Sequence, residues 1–128
     1  MKYLLDTHTL LWWWTDDARL SERARSLIGD EANVILVSAA SAWEMATKHR
    51  LGKLAVAREA MGRFNELIEL DGFTHLAVTY LHALRAGSYA LDHRDPFDRM
   101  LAAQGSLEAA TLISCDEAFA AFGNQVVW

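Results

Sequence analysis

The chain has 128 residues, 52% of them hydrophobic and 23% charged, with one cysteine and one proline. A lone cysteine forms no internal disulfide and no paired Cys/His spacing is present, which removes the disulfide-framework and zinc-finger classes. With 12 Lys and Arg against 17 Asp and Glu, the chain carries a net charge of −5, so loose polyanion binding over a basic surface is excluded and any nucleic-acid contact must be local or metal-assisted.

No run approaches the ~18 apolar residues of a membrane span, and the densest one, Leu10 to Trp14, is a helix-sized piece. The start lacks the basic-then-apolar layout of a signal peptide, because Lys2 opens a short run, Tyr3 to Leu5, that ends on Asp6. The expectation is a cytoplasmic protein, neither secreted nor membrane-bound. At this length one core suffices without cross-links, and residues 1–128 read as a single domain.

In chain order, short apolar runs that suit buried parallel strands are Lys2 to Leu5, Val34 to Val37, Thr74 to Val78, Thr111 to Ser114 and Gln125 to Val127. Helical patterns lie between them. Ser21 caps a stretch that ends at Gly29, and Ser38 to His49 follows the second strand directly. Arg58 to Leu70 places Met61, Phe64, Leu67 and Ile68 on one stripe, which predicts a single helix. Thr79 to Ala86 reads as a short helix closed by Gly87, Asp95-Pro96 opens another through Gln104, and a last short one follows Ser114. Strands alternating with helices along the whole chain predict an α/β fold: a three-layer α/β/α sandwich with a central, mostly parallel sheet of about five strands.

In open parallel sheets the functional crevice lies beyond the carboxyl ends of the strands. Four acids qualify by position: Asp6 ends the first strand, Glu44 lies in the helix after the second, Asp98 sits in the first turn after Asp95-Pro96, and Asp116 follows the strand that ends at Ser114. Each also has a structural explanation. Asp6 suits a helix cap, Glu44 an i, i+4 pair with Lys48, Asp95 a cap ahead of Pro96, and Asp98 a favourable place on the helix dipole. Ser114-x-x-Glu117 has the form of a capping box, which leaves Asp116 unaccounted for. The apolar neighbours Ala40, Trp43 and Ala46 weaken a solvated-face explanation of Glu44, and Asp98 shares its stripe with Leu101 and Ala102. Jointly placed at one sheet edge, four carboxylates repel, by ~1 to 4 kcal/mol per close pair. Such a group calls for a cation or for raised carboxyl pKa values, and all-oxygen ligands suit Mg²⁺ or Mn²⁺ better than zinc.

The chain resembles the PIN-domain family, and within it the VapC-type ribonuclease toxins of type II toxin–antitoxin pairs. The carriers are Tyr3-Leu4-Leu5-Asp6-Thr7-His8 with Leu11-Trp12, the Ser38 to Lys48 stretch with Trp43-Glu44, the His93 to Gln104 segment with Asp95-Pro96-Phe97-Asp98, and Ile113-Ser114-Cys115-Asp116. The family's four acids then fall on Asp6, Glu44, Asp98 and Asp116, with Asp95 as a cap. The resemblance implies an Mg²⁺- or Mn²⁺-dependent endoribonuclease that leaves 5′-phosphate and 3′-hydroxyl ends, an RNA substrate, an antitoxin protein partner and a homodimer. One departure is Cys115, where many relatives carry an asparagine that helps orient the last acid. Arg94, Arg99, Lys48, Arg50 and Lys53 are candidate contacts to flanking phosphates.

Two rivals remain. A haloacid dehalogenase-type phosphatase also places an aspartate after its first strand but needs Asp-x-Asp, and His8 occupies the third position here. A catalytically silent PIN-like binding domain would keep the fold, although all four acids are intact. Trp12, Trp13 and Trp14 are ~100° apart on a helix, so at least one is expected near the surface as part of an interface. The five histidines show no metal-ligand spacing, and Cys115 is expected as a small buried group.

Overall fold

A computed structural model describes all residues from Met1 to Trp128. Its elements are β1 (Lys2–Leu5), α1 (Thr7–Thr15), α2 (Glu22–Gly29), β2 (Val34–Ser38), α3 (Ala39–Arg50), α4 (Ala57–Gly62), α5 (Phe64–Leu70), β3 (Thr74–Leu76), α6 (Tyr80–Ser88), α7 (Pro96–Leu107), β4 (Thr111–Ile113), α8 (Ala118–Ala121) and β5 (Val126–Val127). The five strands form one sheet in the order β3-β2-β1-β4-β5, and every pairing is parallel. The three-layer α/β/α expectation is met.

The alternation of side chains along a strand divides the core in two. Tyr3, Leu5, Ile35, Val37 and Ile113 face one side, where Leu10 and Leu11 of α1, Ala24 and Ile28 of α2, Met45 of α3 and Ile68 of α5 cover them. Leu4, Leu36 and Leu112 face the other, under Leu101 and Ala102 of α7 and Phe119 of α8. Such sheets are apolar on both faces because helices cover both. Gly105 lets α7 settle closely onto β4, since a Cβ there would stand 3.1 Å from Asn124 Nδ2 and 3.4 Å from Leu112 Cγ.

Three expectations need correction. The stripe from Met61 to Ile68 is carried by two helices rather than one, because Arg63 leaves helical geometry at φ −125°, ψ 19°. Its guanidinium bonds Glu66 at 3.1 and 3.2 Å, and Gly62 before it lowers the helix preference at the break. Gly87 lies inside α6, which runs on to Ser88, whose hydroxyl donates to Leu84 O at 2.6 Å. The third strand stops at Leu76, two residues short of the expected end.

The three indoles of α1 are all half-buried, so none of them is the exposed one. Each finds its own cover: Trp12 packs edge-on against Trp128, Trp13 against Phe73 and Trp14 against Phe64. Trp13 and Trp14 both donate their indole N–H to Asp71 Oδ2, at 3.2 and 2.9 Å. The exposed tryptophan is Trp43, 56% accessible, with its ring edge-on to Phe97 at 4.5 Å. No helix is long and apolar enough to cross a membrane.

Candidate active site

The register places Leu5 beside Ile113 and Leu4 beside Leu36, which sets Asp6, Ser38 and Ser114 in one row at the carboxyl ends of β1, β2 and β4. Helices start from two of those positions. Asp6 caps α1 with Oδ1, which accepts His8 N–H at 2.7 Å, and Ser38 caps α3 by accepting Ala40 N–H at 3.0 Å. Thr9 Oγ1 donates to Ile113 O at 2.9 Å and Thr7 Oγ1 to Ser41 Oγ at 3.0 Å, which ties the start of α1 to both β4 and α3. Capping and site geometry therefore coincide at Asp6.

Ser114 does not form the expected capping box with Glu117. Its hydroxyl donates to Asp6 Oδ2 and accepts Asp116 N–H at 2.9 Å, so it links two of the acids. Glu117 stays outside, and Asp116 itself accepts Ala118 N–H at 2.9 Å. A buried carboxylate that needs a donor outcompetes a solvent-facing cap for the one hydroxyl.

Glu44 lies on the inner face of α3, only 3% exposed, and pairs with Lys48 one turn on. Asp95 caps α7 by accepting Phe97 N–H at 2.9 Å and Asp98 N–H at 3.2 Å, with Pro96 as the first helical residue. Asp98 is half-buried, and its Oδ2 stands 2.8 Å from His93 Nε2. Asp6, Glu44, Asp95, Asp98 and Asp116 line one cleft of about 490 Å³, together with His8, Trp12, Arg19, Lys48 and Cys115. All four sequence-selected acids thus share a cavity. They do not converge further, since no three acidic, imidazole or thiol side chains surround a common point at metal-ligating distance. Each is drawn instead to its own partner, Lys48, His93, Ser114 or the Ala118 amide.

The electrostatics record the crowding. Burial pushes the Asp98 carboxyl up from 3.8 to about 6, with Asp95, Glu44 and Asp116 adding repulsion and the His93 bond opposing it. Burial also raises Asp6, against the bonds from Ser114 and His8, and Glu44 adds to the rise. Lys48 is held above its ordinary value: burial works against its charge, and Glu44 first, then Asp95 and Asp98, outweigh it. Carboxylates whose ionisation is suppressed by burial and by one another, in an all-oxygen donor set, suit a hard divalent cation such as Mg²⁺ or Mn²⁺.

Several side chains differ from expectation. Cys115 is exposed at the rim of the cleft rather than buried, because it lies in the bend two residues beyond β4, outside the sheet that the helices cover. Arg99 is not available to a substrate: its guanidinium donates to the carbonyls of Ala86, Tyr89, Leu91 and His93 at 2.6 to 3.0 Å and so shapes the loop ahead of α7. Lys48 is engaged by Glu44, while Arg50, Lys53 and Arg94 remain exposed. Arg19, His8 and Trp12 as cleft residues were not singled out by sequence reasoning; the His8–Trp12 helical spacing was the available signal, and Arg19 had none.

A five-stranded parallel sheet with an acid-lined cleft at its carboxyl edge defines an α/β protein of the kind that binds at strand ends. The PIN domain family model matches residues 3–125, and the chain belongs to that family. It is similar to Ribonuclease VapC16 of Mycobacterium tuberculosis (strain ATCC 25618 / H37Rv), 38% identical over 58 residues that span 45% of this chain and 41% of the relative. Two solved structures share the fold. VapBC2 from Rickettsia felis, bound to a DNA fragment from the promoter, matches with a TM-score of 0.70 at 15% identity, over 100% of this chain and 98% of the other. FitAcB from Neisseria gonorrhoeae matches with a TM-score of 0.67 at 20% identity, over 98% and 96%.

Proposed function

We propose that this protein is a divalent-metal-dependent endoribonuclease, the toxin of a type II toxin–antitoxin pair, with Asp6, Glu44, Asp98 and Asp116 as the residues that hold Mg²⁺ or Mn²⁺. The observation that carries the reading is the shared cleft: four acids distant along the chain line one cavity, two of them with carboxyls pushed upward. Membership of the PIN family and similarity to a protein named a ribonuclease support it.

When bound, such an ion neutralises phosphate charge and activates water for in-line attack. The protein's own groups supply the setting. Ser114 keeps Asp6 oriented from β4, and Asp95 holds the start of α7 so that Asp98 faces the cleft. Lys48 pairs with Glu44 and the His93 ring nitrogen contacts Asp98 within the protein, so a divalent ion and these two groups compete for the same carboxylates. Cytoplasmic residence, an antitoxin partner and a homodimer belong to the same proposal. Tyr80, Leu81 and Leu84 on α6, 90%, 68% and 68% exposed, support a protein contact there.

The test is digestion of total RNA by purified protein with Mg²⁺, with EDTA, and by the Asp98→Asn variant. Cleavage is expected in the first case alone. Equal cleavage in EDTA, or full activity in the variant, defeats the proposal.

A further inference from the structure

The cleft presents an electrostatic difficulty for a polyanionic substrate. Five carboxylates line it, and two nearby cations are engaged, Lys48 by Glu44 and Arg99 by loop carbonyls. The remaining cation on the lining is Arg19. Its placement is built in several steps from the end of α1.

The helix stops when Asp16 enters the left-handed region at φ 50°, a reversal that brings Asp17 N–H onto Trp12 O at 2.9 Å. The Asp17 carboxylate then accepts three bonds from one residue: Arg19 N–H at 2.9 Å and Nε–H at 3.0 Å on Oδ1, and Nη2–H at 2.8 Å on Oδ2. This fork turns the guanidinium back over the Trp12 ring, 4.9 Å from its centroid. Trp12 is itself braced by Trp128 at 5.9 Å and lies one turn from His8, at 6.0 Å. His8, Trp12 and Arg19 therefore line the cleft together, beside the acids.

We propose that Arg19 is a substrate-positioning residue, whose guanidinium, forked by Asp17 and stacked on Trp12, binds a phosphate oxygen of a nucleotide flanking the cleaved bond. The inference rests on the ribonuclease reading and assigns its substrate-facing cation. Stability does not account for the arrangement, since an exposed ion pair contributes ~0 to 1 kcal/mol. What the arrangement does achieve is orientation. With Nε and one edge of Nη2 held by Asp17, Nη1 makes no bond within the protein and the side chain is 69% accessible. A guanidinium fixed in this way presents its outer edge with little rotamer freedom left to lose.

The experiment compares wild type with Arg19→Met, Arg19→Lys and Asp17→Asn in steady-state cleavage of a single-stranded RNA with Mg²⁺, at several salt concentrations, with Tm measured for each protein. Arg19→Met is expected to raise KM about tenfold with kcat little changed, the size of one charge-assisted bond. The slope of log KM against log salt should fall by about 0.7, the signature of one lost phosphate contact on a single strand. Arg19→Lys keeps the slope and recovers only part of KM, because an ammonium cannot use the fork. Asp17→Asn raises KM about threefold while keeping the Arg19 charge. KM and salt slope unchanged in Arg19→Met overturn the proposal while leaving the ribonuclease reading intact. Should Arg19→Met fail to fold, an unchanged KM in Asp17→Asn overturns it instead. Wild type that neither binds nor cleaves RNA with Mg²⁺ overturns both.

Discussion

Two clefts of similar size open at opposite edges of the sheet, about 490 Å³ at the carboxyl ends of the strands and about 540 Å³ at the amino ends. Both are acidic. Asp30, Glu31, Glu69 and Asp71 line the second, around Trp13 and Phe73. Those four acids are all exposed, whereas Asp6 and Glu44 in the first are 7% and 3% accessible and Asp98 is half-buried. The number of carboxylates therefore does not distinguish a candidate site from a solvated rim. Desolvation does, because it makes each negative charge depend on a specific partner and raises the carboxyls that lack a sufficient one.

The largest effect that would sharpen this contrast is catalytic. Asp6→Asn is expected to lower RNA cleavage by on the order of 10² to 10³, in the range seen when a group that stabilises developing charge is removed, while Asp71→Asn leaves the rate at wild type. Comparable losses at both edges, read from initial cleavage rates, would erase the distinction.

Next comes a stability measurement on the cation that balances the buried acid. Lys48→Met strands Glu44 without its partner and should cost about 3 kcal/mol in urea unfolding of the chelated protein. A cost below about 1 kcal/mol would mean that the pair is solvent-screened and that the cleft is as wet as its counterpart.

The third prediction concerns pH. The Asp98 carboxyl lies at about 6 in the folded protein against 3.8 ordinarily, so between these values the folded state holds a proton that the unfolded chain has released. By linkage, the contribution of this group to stability falls as pH rises from about 4 to 6. Chelated wild type should show that decline in Tm and Asp98→Asn should show it flattened. An identical slope in both proteins would assign the decline to other groups.

The smallest effect lies at the amino-end cleft. Asp71→Ala removes the acceptor shared by Trp13 and Trp14 and should lower stability by about 1 kcal/mol, with a change in tryptophan fluorescence and none in metal response.

Much of the fold was legible in the chain. Short apolar runs of strand length, separated by capped helical stretches, specify parallel strands covered on both sides, and the caps at Ser21 and Asp95 are where the pattern put them. The break at Arg63 was not legible, because the apolar stripe from Met61 to Ile68 runs through it and Gly62 alone does not end a helix. Asp6 and Asp116 could be singled out from position alone, since a residue that follows a parallel strand must emerge at the same edge as its counterparts, while Glu44 and Asp98 lie within helices and were picked out by their place near the helix start and among apolar neighbours. The partners of those acids could not. Ser114 had a plausible local role with Glu117, and only the adjacency of β1 and β4 shows that its hydroxyl belongs to Asp6.

The sequence by itself determined the layers and the edge at which the acids emerge, because periodicity and caps act over a few residues and need no knowledge of distant neighbours; the family was legible separately, as a resemblance in its motif segments. The tertiary structure alone decided which acid is buried, which cation answers it, that Arg99 serves a loop, and that Arg19 returns over Trp12 to face the cleft. Those outcomes depend on competition among donors brought together from far along the chain, and on how much water packing leaves between them. Neither quantity is encoded in any short stretch of residues.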